Sequence, residues 1–176
     1  MTILRRPRAV FFDCFGTVFN MDSVPREEIR AYVEHVKRPV WEPLQLPESW
    51  LDLQPHPDSV EGLNRLRGMV PVLALSNAPC AFMQRLSKRS GIIWSGVVPL
   101  DSIKRFKPSV ECFRYAADMV WEKPSDCLHV TANPKFGDVE AAQSIGMQAV
   151  VIREQSLFGP RTIVDLAIGL ESLPVC

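Results

Sequence analysis

Four stretches of the chain set a reactive or anion-holding side chain beside the residues that end a strand and open a helix. The first, Phe11-Phe12-Asp13-Cys14-Phe15-Gly16-Thr17, is an apolar run closing on a carboxylate, a glycine turn and a hydroxyl. The second, Leu75-Ser76-Asn77, offers a hydroxyl and an amide that can hold an anion. The third, Phe106-Lys107-Pro108, brings a cation just ahead of a helix, and the fourth, Val130-Thr131-Ala132-Asn133, is followed by Gly137-Asp138. A carboxylate is a poor nucleophile in water, so Asp13 can attack only if the fold aims it at an electrophile and holds the substrate in line. Backbone amides after Asp13, with Ser76, Asn77 and Lys107, would supply hydrogen bonds and positive charge to an anionic substrate and to charge developing during transfer. Taken singly, each stretch is an ordinary turn, cap or loop. Their order, each at its own strand end, is what points to a site.

The elements that must position these residues are legible in the periodicity. Ala9 to Phe12, Val70 to Leu75, Cys127 to Thr131 and Gln148 to Ile152 are short apolar runs of strand length. Helical spacing links them: Ser59 to Arg67 (Val60, Leu63, Leu66), Cys80 to Ser90 (Phe82, Met83, Leu86) and Ser109 to Val120 (Val110, Phe113, Ala117, Val120). Strands alternating with helices predict an α/β fold, a Rossmann-like three-layer sandwich around a central parallel sheet, whose sites lie at the carboxyl ends of the strands. Pro79 and Pro108 sit where a first-turn proline belongs, and Gly91 and Gly146 where a helix stops. The segment from Asn20 to Pro55 breaks the rhythm with Pro25, Pro39, Pro43, Pro47 and Pro55 around one helix, Arg26 to Val36. It reads as a small cap, residues 20–55, inserted into a core domain of residues 1–19 and 56–176. Its Trp41 and Trp50 either cover the site or form the loop's own small core. After Glu154 the pattern predicts a loop, a short helix near Ile163 to Ile168 and a tail.

Together the four stretches resemble the signature motifs of the haloacid dehalogenase superfamily: Asp-x-x-Gly-Thr, a Ser or Thr, a Lys, and an acidic fourth motif. The resemblance spans residues 9 to 152. Asp138-Val139-Glu140-Ala141-Ala142-Gln143-Ser144-Ile145-Gly146-Met147 resembles the helix after the fourth motif, and His56-Pro57 is likewise similar to the family. It implies a hydrolase in which Asp13 attacks, Asp138 assists water, and Lys107 and Thr17 complete the catalytic set. Phosphoryl-transferring members carry a second aspartate two residues after the nucleophile, to protonate the leaving alkoxide, where this chain has Phe15. Losing a positioned general acid costs about 100-fold to 10,000-fold, whereas a halide leaves unprotonated. Dehalogenases place an aromatic residue there; the alternative reading is that Phe15 only packs under the cap. Phosphatases also have Gly-Asp where this chain has Ala132-Asn133, and that aspartate binds magnesium.

The resemblance therefore implies a metal-independent, 2-haloacid-dehalogenase-like enzyme with no cofactor, acting on a small anionic substrate. Phe15, Ser76, Asn77, Thr131, Asn133 and Arg30 form its binding set. Magnesium binding is weakened by the neutral Asn133; if bound, the ion would use Asp13, the Phe15 carbonyl and Asp138. The alternatives are a weak magnesium-dependent phosphatase, favoured by the phosphatase-like spacing from Asn133 to Asp138, and a degenerate binding protein of the same fold. Arg30 and Arg38 are the candidates for the cap arginine with which dehalogenases grip the substrate carboxylate, and His35 reads as incidental. Phe113 stands where an aromatic residue after Lys107, usually tyrosine, is looked for. Cys14 should face away from Asp13 into the core, since strand residues alternate.

Bulk properties narrow the function classes. A chain of 176 residues that is 47% hydrophobic can bury one core. Twenty basic residues balance 20 acidic ones, so the charge points to neither nucleic acid nor a membrane surface. No apolar run reaches the 18 or more residues of a membrane span. Five cysteines, Cys14, Cys80, Cys112, Cys127 and Cys176, contain no CxxC pair, and no apolar leader follows Met1. This composition predicts reduced thiols in a cytoplasmic protein without structural zinc. Nothing in it sets the oligomeric state.

Overall fold

The computed structural model describes residues 5–154 and 159–174. Five strands form one all-parallel sheet: β1 (Ala9–Phe12), β2 (Val72–Ala74), β3 (Gly96–Val97), β4 (Cys127–Thr131) and β5 (Gln148–Val151), in the order β3-β2-β1-β4-β5. The helices are α1 (Arg26–Val36), α2 (Ser59–Arg67), α3 (Cys80–Ser90), α4 (Leu100–Ile103), α5 (Val110–Met119), α6 (Asp138–Ser144) and α7 (Ile163–Glu171). They cover both faces. Val10 and Phe12 pack with residues of α2, α3 and α7, whereas Ala9 and Phe11 pack with residues of α5 and α6. Adjacent phenylalanines in β1 thus serve opposite layers, as the pleat requires, and burying each contributes about 2–3 kcal/mol.

Because the chain leaves β1 for β2 on one side and later returns to β4 on the other, the order reverses at the β1/β4 boundary. That boundary opens a crevice at the carboxyl ends of the two strands. Asp13 follows β1, and Asn133 follows β4.

The predicted elements mostly stand where the periodicity put them. β2 is shorter than its apolar run, three residues beginning after Pro71. Ser109 precedes α5 and Pro108 lies in the loop before it, so Pro108 is not a first-turn proline. α7 runs to Glu171, beyond the predicted Ile168, behind a capping box of Thr162 and Asp165. β3, α4 and three short 3-10 turns went unpredicted, being too short for a periodic signal. Residues 155–158, in the predicted loop, and Cys176 lie outside the described residues. At Gly62 of α2 an added Cβ would sit 2.6 Å from the Ile163 side chain, so glycine is what lets α2 and α7 approach.

Residues 20–55 hold α1 and the 3-10 turn Glu48–Asp52. They have no separate core: Trp50, Leu51 and Leu53 belong to the same continuous apolar cluster as Val10 and Phe12. Trp50 is buried edge-on against Phe15, ring centres 5.1 Å apart, and donates its indole N–H to Glu28 at 2.7 Å. Trp41 instead tilts over Phe106 at 6.2 Å. Trp50 therefore docks the insertion onto the nucleophile loop, rather than forming a loop core of its own.

Candidate active site

Asp13 ends β1 in the crevice, and each of its carboxylate oxygens is held. Oδ1 accepts from Lys107 Nζ at 2.8 Å. Oδ2 accepts from the Thr17 hydroxyl at 2.9 Å and from Asn133 Nδ2 at 3.0 Å. The loop that makes this possible turns on Gly16, whose φ of +80° favours glycine and whose missing Cβ would stand 3.3 Å from Asn133 Nδ2. Thr17 ties the two strand ends together, because its hydroxyl also accepts the Ala132 N–H at 2.9 Å. Behind the loop, His56 donates to the Gly16 carbonyl at 3.2 Å. Arg153 donates to the Thr17 carbonyl at 2.7 Å while pairing with Asp58 at 2.9 Å.

Lys107 sits 2.7 Å from Asp138 Oδ2 as well, so one buried ammonium bridges two carboxylates. Burial alone would lower the Lys107 pKa, but Asp13 and Asp138 outweigh it and hold the value above the ordinary lysine range. Burial likewise opposes ionisation of Asp138, yet Lys107, joined by His129, keeps that carboxyl well below the usual range. His129, fully buried in β4, places Nε2 3.3 Å from the same Oδ2. Asn77 clamps the Lys107 backbone from both sides, accepting its N–H at 2.7 Å and donating to its carbonyl at 3.2 Å.

A small cavity of about 80 Å³ opens above these groups. Its core wall includes Asp13, Phe15, Asn77, Lys107, Asn133 and Asp138, and its other wall is α1, through Tyr32, Val33, Val36 and Lys37. Phe15 lines the cavity and also packs on Tyr32 and Trp50. Burial, with the Asp13 charge adding to it, pushes the Tyr32 phenol up, so its O–H stays protonated.

The structure corrects several role assignments. Ser76 is buried, accepts the Ala78 N–H at 3.2 Å, and does not line the cavity. Thr131 is also buried, and its hydroxyl fixes the turn by accepting the Asn133 N–H at 3.0 Å. Arg30 is exposed and does not line the cavity. It lies seven residues before Lys37, about 10 Å back along α1. Arg38 pairs with Glu42, and His35 Nε2 donates to the Glu42 carbonyl at 3.0 Å. Phe113 is fully buried against His129, away from the cavity. The sequence reading missed Tyr32, Lys37, His129 and Arg153; an ionisable residue inside the apolar run of β4 was the one available signal. Cys14 faces the core as expected, and burial pushes its thiol up.

One amide stands among the oxygens that a hard divalent ion would use. Asn133 Nδ2 donates to both Asp13 Oδ2 and the Phe15 carbonyl, each at 3.0 Å, bridging two of the three oxygens such an ion would need. The third candidate, Asp138, has its Oδ2 held by Lys107 and His129.

A cation-braced carboxylate at the switch point of a parallel α/β sheet, under an insertion that follows the first strand, is the layout of a covalent-nucleophile hydrolase. The family of haloacid dehalogenase-like hydrolases matches residues 25–146, and the chain belongs to it. It is 24% identical over 196 residues to an (S)-2-haloacid dehalogenase of Xanthobacter autotrophicus, spanning 85% of this chain and 76% of that one. In fold it is similar to the L-2-haloacid dehalogenase PA0810, with a TM-score of 0.77, 20% identity and 94% and 99% of the two chains covered. It is also similar to the L-2-haloacid dehalogenase of Xanthobacter autotrophicus with chloropropionic acid covalently bound, with a TM-score of 0.73, 19% identity and 96% and 100% coverage.

Proposed function

We propose that the protein is a metal-independent dehalogenase of small 2-halocarboxylates, with the 20–55 insertion acting as its cap. The observation that carries this is the Asn133 amide bridging Asp13 and the Phe15 carbonyl, which puts N–H donors where a phosphatase needs a metal and leaves Phe15 where it needs an acid. Two donors fill Asp13 Oδ2 and one holds Oδ1, so Oδ1 keeps a lone pair for attack. Oδ1 bonds to the halogen-bearing carbon as the carbon–halogen bond breaks, and halide leaves with the electron pair. Water then adds to the Asp13 acyl carbon and gives its proton to Asp138. As the acyl–oxygen bond breaks, Asp138 returns that proton to the leaving alkoxide, which departs as the 2-hydroxy acid; the second proton of the water passes to solvent, and Asp13 is again a carboxylate with one oxygen from water. The free, buried thiols of Cys14, Cys112 and Cys127 suit a reducing compartment, and the reading places the enzyme in the cytoplasm.

Charge supports an anionic substrate gripped from α1. Asp13 and Asp138 share one ammonium, so the core wall is net negative and repels an anion unless Lys37 neutralises it. Lys37 is exposed, with its ammonium 5.9 Å from the Phe136 ring centre. Lys37→Ala should raise KM for 2-chloropropionate about three- to tenfold with little change in kcat. It should also remove most of the wild-type rise of KM with salt; an unchanged KM would reassign the anion site.

The function itself is tested by halide release from 2-chloropropionate, with phosphate release from a nitrophenyl phosphate measured in parallel, each with EDTA and with added magnesium. Halide release indifferent to EDTA is expected. Phosphate release that vanishes with EDTA, in the absence of any halide release, would refute the reading and leave the magnesium phosphatase.

A further inference from the structure

His129 is the group in this fold that neither packing nor the chemistry above accounts for. It stands mid-strand in β4, opposite Phe11 and Ala149 in the sheet register, with its ring edge-on to Phe113 at 5.1 Å. Phe11, Ala149 and Phe113 are apolar, and against them a phenyl ring would fill the same space. The imidazole instead keeps Nδ1 buried and without a partner, a cost that a packing residue has no reason to bear. Among the described residues its one polar contact is Nε2 to Asp138 Oδ2 at 3.3 Å. A carboxylate oxygen only accepts, so Nε2 carries the proton and donates.

Asp138 Oδ2 thus receives two donors from the core side, Lys107 Nζ at 2.7 Å and His129 Nε2, and Asp138 borders the cavity. The two donors are not equivalent across the reaction. While Asp13 is a carboxylate, Lys107 is shared between two anions. Once Asp13 is an ester, water attack builds a new oxyanion on its acyl carbon, and the ammonium is drawn toward that charge. Asp138 must take the water's proton at that moment, with only His129 still pinning it.

We propose that His129 is a positioning residue specific to the hydrolytic half-reaction, holding Asp138 in register while Lys107 serves the oxyanion; this rests on the reading that Asp13 forms an ester which Asp138 helps water to open. Alkylation of Asp13 does not need His129, and ester hydrolysis does.

The test compares wild type with His129→Phe, which keeps the ring volume and removes the donor, and His129→Gln, which keeps an N–H donor. His129→Leu is a second donor-free variant should the phenylalanine fail to fold. In rapid-quench assays with 2-chloropropionate, the donor-free variant should release one halide per site at the wild-type rate. Steady-state turnover should then fall about 10- to 100-fold, a part of what a general base contributes, with the ester trapped as a mass increment on the Asp13 peptide. His129→Gln should restore turnover and abolish the burst. A donor-free variant that turns over without a burst, or slows both steps equally, overturns the proposal, as does a burst that persists in His129→Gln. If wild type incorporates no oxygen-18 from water into Asp13, the underlying ester reading is what fails.

Discussion

Replacing Asp13 with alanine should lower kcat for halide release by about 10⁴-fold or more, leaving a folded protein. The scale follows from its place in the proposed pathway: every turnover passes through a bond to Oδ1, and no other carboxylate can substitute. Asp138 also borders the cavity, but its Oδ2 is held by Lys107 and His129. Folding should survive because Lys107 keeps Asp138 as its counterion, and water can enter the small cavity to satisfy Thr17 and Asn133. A single turnover of wild type in oxygen-18 water places the label in the Asp13 peptide; the alanine variant gives neither label nor halide. Retention of more than a hundredth of wild-type halide release would show that Asp13 is not the nucleophile.

Asp13 was legible because strand, turn and hydroxyl lie in seven consecutive residues, and local sequence dictates local geometry there. The same holds for Asn133 and Asp138, which sit on one strand end and the helix after it. Roles set by long-range docking were not legible. Ser76 and Thr131 belong to the right motifs, but whether a hydroxyl faces the cavity or its own backbone depends on rotamers that neighbouring elements decide. Which face of α1 meets the site depends on Trp50 wedging against Phe15, a contact between residues 35 positions apart, so the sequence offered Arg30 and Arg38 as the cap cation and not Lys37. His129 was hidden by the signal that revealed its strand. One histidine in an apolar run leaves the strand assignment intact, and only the fold shows Asp138 at its Nε2.

Lys107→Met is the second large effect, and it separates catalysis from stability through pH. Activity should drop by about 10³-fold, near the upper end for removing one preorganised charge from a transition state. Stability should fall by about 3–5 kcal/mol near neutral pH, because two carboxylates lose the cation they share. In the wild type, Asp138 is held below its ordinary 3.8 in the native state. Its contribution is therefore complete above that value and is lost as pH falls toward the depressed native one. Lys107 is raised above its ordinary 10.5, so its contribution is complete below that value and is lost only as pH climbs through the raised one. Wild-type stability should thus be flat, as far as these groups matter, from about pH 5 to pH 10, and should fall steeply in acid. In Lys107→Met both edges soften: Asp138 faces burial with only His129 to favour its charge, one of the two carboxylates takes up a proton at a higher pH, and the deficit against wild type narrows on acidification. Urea midpoints measured from pH 3 to pH 9 should therefore converge at the acid end. Parallel but offset curves would mean that the acid edge belongs to other carboxyls, and coincident curves that Lys107 acts on the chemistry alone.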